Sequence, residues 1–208
     1  MEEKMDCEKV GKFIFQLRKE KKMTQQQLGD KINVSNKTVS KWERGLGIPD
    51  ASLWTDISEV LNADIGKMLL GELEPNPPDT GNISKTKFFV CSSCGNILTS
   101  TGIVSIACCG RILEEVKPIK GIEKYKINIE DTDVDYYVSV EHEMTKTHYI
   151  SFMAFVKSDR MFLNRMYPEQ MATTHVPSLN RGGRIYIYCV KHGLNVYSWS
   201  EIVNNKNK

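Results

Sequence analysis

The stretch CSSCGNILTSTGIVSIACCG, residues 91–110, holds four of the six cysteines in the 208-residue chain. They form two short pairs, Cys91-x-x-Cys94 and Cys108-Cys109, and a glycine follows each pair. Four thiolates from two such pairs make a tetrahedral sulfur site that suits iron or zinc. The alternatives are disulfides or free buried thiols, although the adjacent Cys108 and Cys109 could bridge each other only under strain. The stretch therefore predicts a small unit stapled by a metal.

A second group of metal-ligand residue types lies further along the chain. His142 and His148 are six residues apart in EHEMTKTHYI, and Cys189 and His192 form Cys-x-x-His in YCVKHG. Any one of these histidines alone would carry little weight, because single histidines often lie in cores or on surfaces. Histidine and cysteine together form a common ligand set for transition metals. We therefore predict a second metal site, with a different ligand chemistry from the first.

Length, net charge and apolar runs limit the classes of protein to which the chain can belong. A chain of this length can hold two or three small domains, and a net charge of +2 does not by itself indicate a polyanionic partner. No apolar run approaches the roughly 20 residues that span a bilayer, and the charged N-terminus does not resemble a secretory signal. We therefore expect a cytoplasmic protein without a membrane partner. In that compartment clustered cysteines more often hold metal than form disulfides.

The N-terminal third is predicted to be helical. Val10, Phe13 and Ile14 lie on one stripe at helical spacing. Thr24 begins a capping-box pattern for a second helix, and Ser35 can cap a third. Patterns for a fourth helix beginning at 49–50 and a fifth at 64–70 bring the total to five.

Beyond residue 73 the pattern changes. Residues 74–82 contain three prolines and a glycine and are predicted to form a linker. Later residues alternate with a period of two, as half-buried strands do, and residues 148–156 form a more continuous apolar strand. The predicted divisions are residues 1–72 (helical domain), 73–86 (linker), 87–117 (four-cysteine metal unit) and 118–208 (β-sandwich).

The predicted second and third helices resemble the phage-repressor, Cro-type helix-turn-helix family. The resemblance covers about 60 residues and rests on the stretch MTQQQL from Met23, the turn at Asn33-Val34, and SNKTVSKWERG from Ser35. It implies that the third helix enters the major groove of double-stranded DNA, usually as a homodimer. The candidate DNA-binding residues are Gln25, Ser35, Asn36, Lys37, Thr38, Lys41 and Arg44. The alternative is a helical interaction module with a solvated basic face.

Residues 86–200 resemble desulfoferrodoxins and superoxide reductases, because both metal motifs occur in the order found there. The first motif is similar to a desulforedoxin-type, rubredoxin-like iron centre that transfers electrons. For the second, the resemblance implies iron with Cys189 as the axial ligand and His142, His148 and His192 as equatorial ligands. Iron is thus implied at both sites, and zinc is the alternative at the four-cysteine site.

The chain departs from this family at one ligand. The family motif Glu-Lys-His corresponds to Glu123-Lys124-Tyr125, so a tyrosine stands where a fourth histidine ligand is expected. If the chain is a reductase, Glu123 and Lys124 are the candidate catalytic residues, and Lys124 would attract the anionic substrate. Tyr125 is a doubtful ligand, since a phenolate favours ferric iron. The only other histidine, His175, is predicted to lie in an exposed loop.

These features predict a multidomain α + β chain. It would contain a five-helix helix-turn-helix domain, a small rubredoxin-like metal unit and an immunoglobulin-like β-sandwich. The favoured function is a sequence-specific transcriptional regulator that senses redox state or superoxide through its metal. A superoxide reductase is the alternative, so enzymatic activity stays open. In a third hypothesis the C-terminal half is a degenerate scaffold used for dimerisation.

Overall fold

The computed structural model describes residues 6–71, 76–120, 125–177 and 182–205. The chain divides into two compact units, Met1–Pro75 and Asn76–Lys208, which we call the first and second units. The finer predicted boundaries, at residues 72, 86 and 117, stay predictions. None of the described helices is both long enough and apolar enough to cross a bilayer.

The first unit contains the five predicted α-helices. They are α1 (Cys7–Glu20), α2 (Gln25–Lys31), α3 (Asn36–Glu43), α4 (Trp54–Leu61) and α5 (Ile65–Leu70). One face of each helix contributes to a single apolar core, in which Ile14, Leu28, Val39 and Ile57 are fully buried. The predicted helical N-terminal region is therefore confirmed.

Polar caps place α2 and α3 as the sequence predicts. Thr24 and Gln27 form a complete capping box at the start of α2. Ser35 Oγ accepts a hydrogen bond from the backbone N–H of Thr38 and so caps α3. Between the two helices Asn33 adopts a left-handed conformation with φ 56°, which asparagine tolerates better than most residues. This tight turn fixes the angle at which α3 leaves α2.

The start of the fourth helix differs from the prediction. Residues Ala51–Leu53 form a 3-10 turn capped by the Asp50 side chain, and the α-helix proper begins at Trp54. Asp50 accepts hydrogen bonds from both the backbone and the hydroxyl of Ser52. This local bonding favours a tight turn before the helix, because short polar side chains compete with regular helical hydrogen bonds.

The second unit is rich in β-structure. Its elements are β1 (Lys87–Val90), β2 (Ile97–Ser100), β3 (Ile106–Cys108), β4 (Arg111–Leu113), β5 (Ile119–Lys120), β6 (Ile127–Asp131), β7 (Asp135–Val140), β8 (Ile150–Val156), β9 (Met161–Arg165), β10 (Thr173–Pro177), β11 (Arg184–Cys189), β12 (Gly193–Ser198) and α6 (Trp199–Asn205). They form a five-stranded sheet in the order β5-β12-β11-β8-β9 and a three-stranded sheet in the order β10-β7-β6. The pairs β1-β2 and β3-β4 stand as two-stranded sheets.

The five-stranded sheet is buried on both faces. On one face Met153 and Ile187 share a core with Val138 of the three-stranded sheet. On the other face Phe152 and Ala154 pack with Phe88 of β1. Every residue of β8 is consequently buried, which explains why its sequence is continuously apolar and does not alternate. The β-rich C-terminal part is confirmed, and its immunoglobulin-like character stays a prediction.

The segment around the cysteines has no core of its own. Cys91 is buried, but residues 92–120, all of which the structure describes, include no buried residue. Ile112 of β4 is 75% exposed. A short segment without buried apolar side chains gains little stability from the hydrophobic effect, so its conformation depends on other constraints. The two cysteine pairs enclose residues 95–107 of this segment.

Candidate metal centres and nucleic-acid interface

The candidate DNA-binding residues gather on the outer face of α3 and the start of α2. Asn36, Lys37, Lys41 and Arg44 are exposed, while Val39 and Trp42 on the opposite face are buried. Four of the candidates line one shallow depression, together with Ser40. They are Gln25, Asn36, Lys37 and Arg44. Ser35 and Thr38 pair with each other at the beginning of the helix, with their hydroxyl oxygens 2.9 Å apart.

A buried ion pair between Arg18 and Glu43 lies beneath this face. The sequence analysis did not predict it. Arg18 Nε donates to Glu43 Oε1 at 2.5 Å, and Arg18 Nη2 donates to Oε2 at 2.7 Å. Both side chains are at most 5% exposed. Arg18 also donates to the carbonyl of Met23, and Gln25 Nε2 donates to Glu43 Oε2 at 2.8 Å. Glu43 therefore ties α1 and α2 to the end of α3.

This pairing changes the charge expected on the α3 face. From the sequence, Glu43 counts as an acid that offsets nearby lysines. In the structure its carboxylate is neutralised inside the unit by Arg18. The exposed side chains of α3 and its cap then carry only positive charge, from Lys37, Lys41 and Arg44.

The four clustered cysteines, which we call the first cluster, converge as predicted. The sulfur atoms of Cys91, Cys94, Cys108 and Cys109 all lie within 4.8 Å of one another, and the cysteines are free. The Cys94 and Cys108 sulfurs are 3.6 Å apart. Four sulfurs about 2.3 Å from a tetrahedral ion are about 3.8 Å apart. The observed spacing therefore fits a single metal ion.

The backbone around the first cluster favours thiolate at one sulfur. Backbone N–H groups of Cys94 and Ser93 hydrogen-bond the Cys91 sulfur and lower the pKa of its thiol to about 6. Hydrogen bonds with the other sulfurs, that of Cys94 first, raise the pKa of Cys109 to about 12. Four thiolates so close together require a cation, because like charges disfavour ionisation. This donor set fits a bound metal, which deprotonates its thiol ligands.

Left-handed backbone turns bring the pairs together. Gly95 has φ 69°, Gly110 has φ 72°, and Cys109 itself has φ 51°. The backbone N–H of Gly95 donates to the carbonyl of Cys91 at 2.8 Å and closes the first turn. Glycine adopts this conformation with little strain, which accounts for a glycine after each cysteine pair.

The second cluster is formed by His142, His148, Cys189 and His192, whose ligand atoms also lie within 4.8 Å of one another. Cys189 is the last residue of β11 and pairs with Ile150, the first residue of β8, and His148 lies two residues before that strand. The sulfur is fully buried, and the three histidines are partly buried. His148 Nε2 and His192 Nδ1 are 3.3 Å apart, close to the roughly 3.0 Å between cis nitrogen ligands about 2.1 Å from an ion.

His142 has the features of a metal ligand. Among the described residues its Nε2 is a buried nitrogen without a hydrogen-bond partner. Burial, and then the neighbouring His148 and His192, lower the pKa of His142. The imidazole is thereby kept neutral, which is the form that binds metal. The residues of the second cluster thus fit a transition metal such as iron.

A carboxylate orients one ligand of the second cluster. Glu143 Oε2 lies 2.9 Å from His148 Nδ1, and this hydrogen bond is the main reason that the pKa of Glu143 is lowered. With the Nδ1 proton held by the carboxylate, Nε2 of His148 is left free to bind metal. Such carboxylate–histidine pairs orient the ring and raise its basicity as a ligand.

We expect Glu143→Ala to weaken metal binding at the second cluster by roughly 10–100-fold. The ring of His148 would lose its orientation and its Nδ1–H would lose its acceptor. Titration of the full chain with ferrous iron under anaerobic conditions measures the effect. Glu143→Gln should recover part of the affinity, because its amide oxygen still accepts. Glu141→Ala removes an acid that pairs with Lys126 and serves as the control; an equal loss there would contradict the orienting role.

Tyr125 lies at the second cluster and not elsewhere in the core. Its hydroxyl is 3.4 Å from His192 Nδ1, and its ring is 5.7 Å from that of His142. Burial, and next the adjacent Cys189 sulfur, raise the pKa of the Tyr125 phenol, so the neutral phenol is favoured. A neutral phenol is a weaker ligand than the phenolate that would favour ferric iron. Whether it binds metal stays a prediction.

Three further candidate residues of the sequence, Glu123, Lys124 and His175, have other outcomes. Glu123 and Lys124, the candidate catalytic residues of a reductase, lie outside the described residues. The prediction that His175 lies in a loop is wrong: it belongs to β10 and pairs with Tyr137 of β7. Its Nδ1 is 2.9 Å from Asp135 Oδ2, and it remains exposed. His175 is thus not among the residues that converge on the second cluster.

Comparison with known proteins matches each unit separately. The Helix-turn-helix family model matches residues 14–67. The HTH-type transcriptional activator BcrR of Enterococcus faecalis is 38% identical over 74 residues, and the alignment covers 36% of this chain and 36% of that protein. The chain thus spans about a third of that relative.

The C-terminal part matches a different set of proteins. Desulfoferrodoxin of Syntrophotalea carbinolica is 26% identical over 118 residues, which cover 53% of this chain and 94% of that protein. The crystal structure of the superoxide reductase from Treponema pallidum is 18% identical, with a TM-score of 0.48, and the match covers 55% of this chain and 98% of that one. The chain therefore joins a helix-turn-helix DNA-binding domain, over residues 14–67, to a desulfoferrodoxin-like domain that carries one four-cysteine cluster and one His/Cys cluster, both of metal-binding type.

Proposed function

We propose that the chain is a sequence-specific transcriptional regulator that binds double-stranded DNA and responds to the state of metal in its C-terminal half. One observation carries this proposal: the exposed cationic face of α3 and two convergent clusters of metal-ligand residues occur on the same chain. A homodimer would place two α3 helices in successive major grooves, about 34 Å apart. A redox signal such as superoxide would act through the metal.

On DNA, the roles follow from side-chain chemistry. Asn36 can make a bidentate contact to adenine, and Lys37 and Lys41 can donate to guanine. Gln25, Ser35, Thr38 and Arg44 are suited to phosphate contacts that set the register of α3. Gln25 already donates to Glu43, so its position is fixed before DNA arrives, which lowers the entropy that binding would cost.

The test begins with a duplex selected by the full chain from a random pool. We expect Asn36→Ala to weaken binding to it by about 1–3 kcal/mol and to relax the preference at one base pair. Arg44→Ala, at a phosphate contact, should weaken binding to all duplexes alike and reduce the salt slope by about one. Lys67→Ala, on α5, is the control for loss of a positive charge. Equal losses for all three variants would leave only non-specific attraction and contradict the proposal.

We assign iron to the second cluster, and iron or zinc to the first. The mixed His/Cys donors of the second cluster suit a redox-active metal, whereas four thiolates accept either ion. In a regulator, iron at the second cluster would supply a change of charge with oxidation state. Cys189, His142, His148 and His192 would hold it, and Glu143 would orient His148.

A superoxide reductase is the second candidate, because the second cluster brings together the three histidines and the cysteine that the desulfoferrodoxin resemblance implies. Bound ferrous iron would supply one electron to superoxide, which takes up two protons and leaves as hydrogen peroxide. Tyr125, at the place of a fourth imidazole, weighs against efficient turnover.

We expect Tyr125→His to raise the iron affinity of the second cluster roughly tenfold and to strengthen its thiolate-to-ferric absorption, because a fourth imidazole adds a neutral nitrogen ligand. Metal content per chain and a visible spectrum, before and after oxidation, measure both effects. Tyr125→Phe should leave the metal content unchanged. Loss of metal in Tyr125→Phe would instead make the phenol itself a ligand. If metal appears at the second cluster only in Tyr125→His, the C-terminal half of the natural chain is a scaffold.

A further inference from the structure

The segment that follows the first unit is fastened to the loop between the two cysteine pairs. Asn76 Nδ2 donates to the carbonyl of Ile103 at 2.7 Å, and the Ile103 N–H donates to Asn76 Oδ1 at 2.8 Å. A side-chain amide here copies the two-way pairing of a β-strand neighbour. Both bonds use the Ile103 backbone, so they depend on the conformation of the loop and not on the apolar side chain at that position.

Two further contacts lie beside this pair. Thr101 Oγ1 donates to Asp79 Oδ2 at 3.2 Å. A Cβ added at Gly102 would lie 3.3 Å from Asn76 Cγ, so the glycine allows a close approach that a larger residue would crowd. Residues 76 and 79 are thus held against residues 101–103, and we call these contacts the latch.

The loop that receives the latch lies between the two cysteine pairs of the first cluster. It connects β2, which follows Cys94, to β3, which ends at Cys108. At its first end the loop continues β2, which pairs with β1 up to Ser100. From residue 101 to 120 no residue is buried, although all are described, so no buried side chain holds the end of the loop that leads to β3. A metal that joins Cys94 to Cys108 closes a loop of 14 residues, and where no packed core exists, metal binding supplies folding free energy.

We propose that metal in the first cluster holds the latch closed, and that its loss releases residues 76–82 and lengthens the connection to the helix-turn-helix domain. This inference rests on the proposed regulatory function and gives the first cluster the role of its effector site. The next fixed point is Ile83, whose N–H donates to the carbonyl of Ser158 at 2.9 Å. Ile83 also packs against the core of the second unit, so it stays in place when the latch opens.

Opening of the latch would lengthen the connection by a distance comparable to the spacing of two DNA half-sites. From Gly71, the cap of α5, the first fixed point moves from residue 76 to residue 83, or from five to twelve peptide units. At about 3.5 Å per residue the maximal reach of one connection grows from roughly 18 Å to roughly 42 Å. In a homodimer two closed connections together reach about 36 Å, which already matches the roughly 34 Å between half-sites, so a longer connection exceeds the span. Effective concentration falls as about the −3/2 power of tether length, so binding to two half-sites should weaken about fourfold.

The latch can be tested without DNA. Hydrogen exchange on the full chain reports the Ile103 amide, whose N–H is held by Asn76 Oδ1. We expect exchange to speed up by about tenfold, the worth of one exposed hydrogen bond, in Cys94→Ser and in Asn76→Ala. Thr80→Ala, in the same segment, and His148→Ala, at the second cluster only, should leave it unchanged. Unchanged exchange in metal-free Cys94→Ser would overturn the inference.

DNA binding then tests the consequence. With a selected duplex carrying two half-sites, we expect metal removal to weaken binding about fourfold in the natural chain but not in Asn76→Ala, which should bind weakly in both states. A duplex with one half-site should show no metal dependence. Metal-dependent binding that persists in Asn76→Ala would refute the latch as the route. If no form prefers any duplex, the regulatory proposal fails, and the exchange experiment still decides whether metal holds the latch.

Discussion

Glu43→Ala is expected to lower the free energy of unfolding of the first unit by about 3–5 kcal/mol. The substitution would leave the Arg18 guanidinium buried with only the Met23 carbonyl as an acceptor. An uncompensated buried charge is much more costly than the loss of the attraction itself. Urea unfolding followed by fluorescence measures the change, because Trp42 and Trp54 both lie in the core of this unit.

Two controls test whether burial of the Arg18–Glu43 pair, and not only the short distance between its charges, sets the cost in unfolding free energy. Lys126 and Glu141 lie 2.6 Å apart, almost the same distance, but their side chains are 70% and 59% exposed. Glu141→Ala should therefore cost less than about 1 kcal/mol. The double variant Arg18→Met with Glu43→Leu should stay within about 1 kcal/mol of the natural chain, since apolar replacement of both partners removes the buried charges. A cost below about 1 kcal/mol for Glu43→Ala would mean that solvent screens the pair.

The same pair shows why part of the DNA-binding face could not be predicted. Helical spacing predicts that Val39 and Trp42 face inward, and the structure has both buried. The sequence carries no signal that Glu43 meets Arg18, which is 25 residues away. A single acid in a basic helix is usually a solvated charge. Only the packing of α1 against α3 makes it an internal counter-ion.

The metal clusters are more predictable than the strands around them. Cysteine and histidine spacings reflect ligand chemistry, and the ligand atoms of both predicted sets converge within 4.8 Å. The sequence context Thr-Thr-His-Val-Pro is predicted to be a loop at His175. Its strand β10 lies at the edge of the three-stranded sheet, where a terminal proline is tolerated. The continuous burial of β8, by contrast, agrees with its apolar run.

The latch is a second kind of contact that the sequence alone does not predict. The prolines at 77 and 78 predict a spacer, and spacing alone would make residues 74–82 an inert connection. Asn76 and Asp79 acquire partners only because the loop at 101–103 folds back toward them. A short side chain that bonds a distant backbone leaves no periodic pattern in the sequence, so contacts of this kind emerge only from the structure.

Cys94→Ser should reduce the affinity of the first cluster for zinc or iron by about 10²–10³-fold. Structural four-ligand zinc sites contribute about 10–16 kcal/mol, or roughly 2.5–4 kcal/mol per ligand, and a serine hydroxyl is not a thiolate donor at neutral pH. Metal content per chain and competition with a chelator measure the loss. Cys94 is exposed, so the substitution leaves the packed core unchanged and the effect reports on ligation.

Cys7→Ser is the matched control for Cys94→Ser, because Cys7 lies on α1 in the first unit and outside both clusters. It should leave metal content unchanged. The thermal unfolding of the first unit should also be the same in Cys94→Ser as in the natural chain, since the described residues of its core lie between Val10 and Leu69. Full metal content in Cys94→Ser would show that three sulfurs suffice. A metal ion bound by four thiolates would then not be what fixes the conformation of residues 92–120.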